Sequence, residues 1–201
     1  MFSSGHCHSD ALNLSVPEYA LEGTVNGAGA AMRWAESEWG INDIESVSWQ
    51  NVEEVTIFLN SVGGLGSPFW RSDVIPRFLD VSKSHNDYTK EQCMAALMES
   101  IVFLLTINIE EMLKHGVVTN QLLVAGGMSK DVYLCQCLAN LSSASVVASN
   151  FKEATSRGAA WLAMQRPDWD VLERKQFYPV KDNALQFRYR EFKSAMQGLV
   201  H

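Results

Sequence analysis

Clustered positive charge is the first thing this sequence lacks: 16 Lys and Arg are set against 23 Asp and Glu, for a formal net charge of -7. A phosphate backbone demands grouped cations, so a nucleic-acid surface is excluded, although a local anion pocket is not. Long apolar runs are also missing. The longest nearly uninterrupted one, Ile101 to Ile107, falls well short of the roughly 18 residues a bilayer span needs, so no membrane segment is expected. Cysteine is scarce, with Cys7, Cys93, Cys135 and Cys137 scattered along the chain, which fits free thiols in a reducing compartment. The opening MFSSGHCHSD has no basic stretch leading into an apolar one. No secretory leader is read there, and a cytoplasmic location is expected. The glycine-rich SVGGLGSPFW (residues 61–70) is not followed by Lys-Ser or Lys-Thr, which excludes a P-loop. There is no internal repeat and no low-complexity run.

What is present is the profile of one globular domain over residues 1–201, 47% hydrophobic and 19% charged, with a loop-like start (1–17) and a docked tail (168–201). Its central stretch is Gln121 to Asp131, QLLVAGGMSKD. An apolar strand (Leu122, Leu123, Val124) runs through Gly126 and Gly127 into a helix expected near Ser129. Adjacent glycines leave room for a ring or a phosphate, and a helix start offers free backbone N–H groups with partial positive charge. Gly-Gly also makes ordinary turns, and these residues alone leave both readings open. A similar unit lies upstream: a strand over Tyr19 to Val25, a turn through Asn26, Gly27, Ala28 and Gly29, then an amphipathic helix from Ala30 to Trp39. Close packing explains its small residues as well as a ligand does.

Elsewhere Val55 to Leu59 reads as a strand, SVGGLGSPFW as a structural loop, and Val74 to Val81 as a short strand weakened by Pro76. Thr89 and Gln92 form a capping-box pattern, followed by apolar positions at helical spacing up to Gly116, which predicts a long core helix. SVVA (145–148) reads as a strand, and Asn150 to Met164 as a turn and helix with Pro167 after its end. In that helix Gly158, Ala159 and Ala160 make one face nearly flat. The aromatic-rich tail is expected to dock as an irregular segment plus a terminal helix. His6, Cys7, His8 and Asp10 are metal-ligand types, but no second cluster completes a tetrahedral set, so a polar loop and no metal site are expected.

Five stretches, in one order and at compatible distances, resemble the carboxy-terminal half of the FGGY family of carbohydrate kinases. They are YALEGTVNGAGAAMRW (19–34), GLGSPFW (64–70), ALMESI (96–101), VAGGMS (124–129) and EATSRGAAWL (153–162). The resemblance implies an α/β, ribonuclease-H-like (actin-like ATPase) carboxy-terminal domain, a mixed sheet with flanking helices, present in part. It implies a nucleotide-binding half of an ATP-dependent carbohydrate kinase, with Mg-ATP or Mg-ADP as cofactor and a sugar or polyol as substrate of the intact enzyme. Gly29 and Arg33 match positions near the nucleotide. Gly126, Gly127 and Met128 match the glycine platform under the adenosine, and Asp131 matches an asparagine beside it. No catalytic residue is assigned.

The sequence departs from the family's Val-Asp-Gly-Gly-Ala-Ser-x-Asn at Ala125, Met128 and Asp131. A carboxylate at Asp131 can accept a hydrogen bond but loses the amide's donor and brings a negative charge towards an anionic ligand. By the same comparison, the catalytic base, the first phosphate loop and most sugar contacts would precede residue 1. The chain alone is therefore expected to be inactive in phosphoryl transfer, completed by an amino-terminal domain or by self-association. The alternative is a degenerate, non-catalytic actin-like module that acts through protein–protein interaction.

Overall fold

The computed structural model describes residues 2–3, 21–26, 28–149, 153–165, 168–169 and 173–199. The chain divides into two compact units, one made of Met1–Val118 with Asp182–His201, the other of Thr119–Lys181.

The first unit opens with two short antiparallel strands, β1 (Phe2–Ser3) and β2 (Glu22–Gly23), then helix α1 (Ala28–Trp39). Strands β3 (Phe58–Leu59) and β4 (Arg77–Phe78) pair antiparallel. Helix α2 (Lys90–Lys114) follows, and α5 (Asn183–Gly198) completes the unit from the far end of the chain. The expected strands Val55 to Leu59 and Val74 to Val81 thus shrink to two residues each. Pro76, which has no N–H to donate, lies immediately before β4. Of the strand expected over Tyr19 to Val25 only Glu22–Gly23 is seen, with Tyr19 and Ala20 outside the described residues.

Helix α2 organises this unit. Its start is a reciprocal capping box: the Thr89 N–H donates to Gln92 Oε1 at 3.0 Å and the Gln92 N–H to Thr89 Oγ1 at 3.2 Å. Every residue from Cys93 to Leu104 is buried. By length and composition α2 meets the membrane-span requirement that Ile101 to Ile107 alone did not, but 89% of its most apolar stretch is buried inside the fold, as in a core helix. Ala31 and Ala35 of α1 are fully buried, and their small side chains allow α1 to lie close to α2. Leu185, Tyr189, Phe192 and Met196 recur on one face of α5, where Tyr189 and Phe192 meet Phe103 at ring-centroid distances of 5.6 and 5.2 Å.

Polar groups on α2 reach two neighbouring segments. Glu99, 2% exposed, accepts two hydrogen bonds from Arg188 of α5, at 2.7 Å from Nε and 2.5 Å from Nη2. Asn108 donates to the carbonyls of Leu104 and Ser67 at 3.0 Å each, and its Oδ1 accepts from the Ser67 hydroxyl. Ser67 in turn is tied to Thr24: its N–H donates to the Thr24 carbonyl, and its hydroxyl accepts the Thr24 N–H. A Cβ at Gly66 would fall on the Thr24 carbonyl oxygen, so backbone proximity requires that glycine. GLGSPFW is a structural loop.

The second unit is a three-stranded mixed sheet in the order β5 (Gln121–Val124), β6 (Ser145–Ser149), β7 (Arg174–Phe177), parallel in the first pair and antiparallel in the second. Helix α3 (Val132–Ser142) packs on β6 and β7 through Leu134, Cys135, Leu138 and their neighbours. Helix α4 (Ala154–Ala163) follows β6, with Gly158, Ala159 and Ala160 exposed; Asn150 and Pro167 lie outside the described residues. The tail is more regular than expected, because Arg174–Phe177 adds β7 before the terminal helix. In β7 only Phe177 is buried, so its alternation is too weak to announce a strand.

Burial pushes the Glu99 carboxyl above its ordinary range, and the Arg188 guanidinium pulls it partly back. Replacing Arg188→Met should cost about 3–5 kcal/mol at neutral pH by leaving that carboxylate buried without its partner. A carboxyl held above its unfolded pKa stabilises the fold below that pKa, and the contribution is lost as pH rises through the folded value. Urea melts should therefore show the deficit shrinking towards about pH 5, and Glu99→Gln in the same chain should restore most of the loss. A deficit independent of pH would count against the pair.

Candidate functional site

The Gly-Gly turn follows β5 directly. Gly126 has φ 100° and ψ -170°, a conformation open to glycine and strained for any side chain. A 3-10 turn, Gly127–Lys130, follows, and the α-helix starts at Val132 rather than near Ser129 as expected. Ser129, 4% exposed, fixes the turn from below: its hydroxyl lies 2.7 Å from both the Gly126 carbonyl and the Ser149 carbonyl at the end of β6. The opposite side is open. Gly127 is exposed, and a Cβ added there would meet nothing within 4 Å. Packing does not require a glycine at 127. Met128 is half-buried beside it, and Ala125 is exposed.

Asp131 has a structural role that the sequence alone did not indicate. Its Oδ1 accepts the Tyr133 and Leu134 N–H groups at 3.0 Å each, as the N-cap of α3. Asp and Asn cap helices about equally well, and a negative charge there suits the helix dipole. An aspartate at 131 therefore serves as the cap as well as the asparagine implied by the sequence resemblance would.

Gly29 and Arg33 lie in the other unit, on the first two turns of α1, and both are exposed. The space around Gly29 is open, with Arg33 Nη1 at 3.9 Å the nearest atom to an added Cβ. Helix α1 has no acidic residue in its first turn, so the helix dipole and the guanidinium together make that end electropositive. Gly27 lies outside the described residues. The structure thus assembles Gly126, Gly127, Met128 and Asp131 in one turn of the second unit and Gly29 with Arg33 on one helix of the first.

Among the described residues no group of three or more His, Cys, Asp or Glu is placed to hold a metal ion, and His6, Cys7, His8 and Asp10 lie outside them. Cys93, Cys135 and Cys137 are buried and in no disulfide among the described residues. Desolvation pushes the Cys93 and Cys135 thiols up to about 11, so they stay protonated and unreactive near neutral pH. Ser129, which fixes the turn, was legible only as the small polar residue after Gly-Gly. The cavity formed by Trp34, Trp39, Phe58 and Phe78 left no sequence signal beyond two tryptophans on one predicted helix.

Residues 4–165 match the model of the FGGY family of carbohydrate kinases, C-terminal domain. Glycerol kinase 1 of Thermotoga maritima is 27% identical over 202 residues, covering 90% of this chain and 40% of the relative. The glycerol kinase of Thermococcus onnurineus is 32% identical over 197 residues, covering 89% and 38%. Among solved structures, Plasmodium falciparum glycerol kinase with ADP superposes with a TM-score of 0.70 at 26% identity, covering 91% of this chain and 38% of that one. Gluconate kinase from Lactobacillus acidophilus also gives 0.70, at 20% identity, with coverage of 90% and 40%. The chain spans about two-fifths of the length of these relatives.

The two glycines of the turn should separate in a stability measurement. Gly126→Ala is expected to cost about 1–3 kcal/mol through its backbone conformation, whereas Gly127→Ala should stay within about 0.5 kcal/mol of the parent. Denaturant melts of the two variants check this, and equal losses would contradict the assignment of strain to Gly126.

Proposed function

The chain belongs to the FGGY family of carbohydrate kinases, and on that premise we propose that it is the nucleotide-binding half of an ATP-dependent sugar or polyol kinase. The observation that carries the reading is the turn after β5: rigidly fixed beneath by Ser129 and bare above at Gly127, where a side chain would fit but none is present. A bare, rigid backbone ledge suits a flat ligand that must approach closely. In this reading Gly126, Gly127 and Met128 form the ledge under the adenosine, with Met128 supplying a polarizable apolar contact. Asp131 orients the ledge through the start of α3 and offers carboxylate lone pairs to a ribose hydroxyl or adenine amino group. In their own unit, Gly29 leaves the first-turn amides of α1 uncovered, and Arg33 adds a cation suited to phosphate. The P. falciparum neighbour was solved with ADP, which supports the same ligand class.

Bound Mg-ATP would supply the γ-phosphoryl group for transfer to a sugar or polyol hydroxyl in the complete enzyme. Magnesium is proposed to arrive with the nucleotide, bound to its phosphates. Holding the nucleotide is one half of the positioning that phosphoryl transfer needs. Taken alone, the 201 residues are proposed to bind nucleotide without transferring phosphate.

A second reading, a non-catalytic actin-like module that engages a partner protein, is favoured by Leu123. It is 65% exposed on β5, the edge strand of its sheet. Nucleotide binding separates the two. At a hundred times its dissociation constant, Mg-ADP should raise the unfolding free energy of the chain by about 2.7 kcal/mol, and Gly127→Val should abolish the gain while folding normally. No stabilisation at millimolar Mg-ADP would favour the interaction module. Phosphate transfer by the isolated chain to any member of a sugar and polyol panel would overturn the claim that it is inactive alone.

A further inference from the structure

A second concavity lies wholly within the first unit. It has a volume of about 290 Å³ and is lined by Trp34, Glu38 and Trp39 of α1, by Phe58, by Arg77 and Phe78 of β4, and by Lys83 and His85. That volume is near the lower end of small-ligand sites. Trp34 and Trp39 stand across one another at 75° with centroids 5.5 Å apart, and Trp39 meets Phe58 at 80° and 5.2 Å, while Trp39 stacks on Phe78 at 22° and 5.7 Å and Trp34 lies at 31° to Phe58 at 5.7 Å. The near-parallel pairs are in contact with each other at these separations and leave no slot for a further flat ring between them. Perpendicular rings instead form the corner of a box, the shape that receives a compact, rounded cation against aromatic faces. Phe58 and Phe78 are buried as the back of this corner, while Trp34 and Trp39 are half-exposed.

The charges narrow the ligand further. Lys83 already lies over the Tyr88 ring at 5.4 Å and near the carboxylates of Asp80 and Asp87, which hydrogen bonds from Ser82 and Ser84 and, to a lesser extent, the Lys83 charge hold below the ordinary range. Glu38 and Arg77 line the same cavity, and among the described residues their side chains take part in no hydrogen bond or ion pair. One carboxylate and one guanidinium, both uncommitted beside an aromatic corner, complement a molecule carrying one charge of each sign. We propose that this cavity binds a small zwitterion with a methylated ammonium group and a carboxylate. The ammonium would sit against Trp34 and Trp39 with Glu38 as its counter-charge, and the carboxylate would pair with Arg77. Methylation matters because an ammonium with N–H groups would leave donors facing the rings, whereas a methylated one carries only a weakly hydrated, rounded surface.

Titration of the chain with glycine betaine, followed by calorimetry and by the tryptophan indole N–H resonances, tests this. Thermal shift is unsuitable, because such a solute also stabilises proteins by exclusion from their surfaces. The expected result is saturable binding with perturbed indole signals, weakened about tenfold by Glu38→Gln and likewise by Arg77→Gln. Both side chains are exposed and unpaired, so the variants should fold as the parent does. Glycine should bind at least about tenfold more weakly than the betaine. Mg-ADP should leave the betaine affinity unchanged. The proposal is overturned if betaine gives no saturable signal at millimolar concentration. It is equally overturned if glycine or either variant matches the parent–betaine pair.

Discussion

The first unit depends on one electrostatic arrangement: a carboxylate placed where almost no water reaches. Helix α2 is apolar on nearly every side, and such a helix packs well without specifying its register. Glu99 changes that. A buried charge tolerates few arrangements, and Arg188 of α5 meets it with two parallel hydrogen bonds. Sliding α5 along α2 by one turn would leave two charges stranded, while the surrounding Phe103, Tyr189 and Phe192 contacts would merely be reshuffled. Asn108, further along the same helix, does comparable work at the other side. It satisfies its own amide on Leu104 and Ser67 and holds the glycine-rich loop against Thr24. Hydrophobic burial supplies most of the driving force here, and two polar side chains supply the address.

In the second unit the address is written in backbone. The turn after β5 has no large side chain to hold it, so its shape comes from a glycine conformation, a serine hydroxyl beneath and an aspartate cap beyond. These elements lie on one side of the turn, which leaves the other side smooth. A surface of this kind gains little from protein packing, which is why it is proposed as the ledge for a ligand.

Much of this was readable from the residues. The long helix was announced by Thr89, Gln92 and the spacing after them, and both boundaries hold closely because a capping box and a glycine are local signals. The family was readable from five short motifs. The two-residue strands were not, because such pairs are fixed by partners far along the chain rather than by their own alternation. β7 was missed because only Phe177 of its four residues is buried. At the candidate site the sequence pointed to the Gly-Gly turn but not to the local partners that hold it. Asp131 read as a departure that weakens a ligand contact, whereas its first partners are two backbone N–H groups. Nor did any periodicity connect Trp34 and Trp39 with Arg77, since that cavity closes only when β4 pairs with β3.

The order in which the chain visits its units has a bearing on its biogenesis. The first unit is interrupted after Val118 and resumes only at Asp182. During synthesis, α2 and its buried carboxylate leave the ribosome well before the residues that neutralise them, while the second unit can form from contiguous sequence. For that interval the long core helix stands with one flank uncovered. Emergence of α5, rather than of the core helix itself, is therefore the step that lets the first unit close.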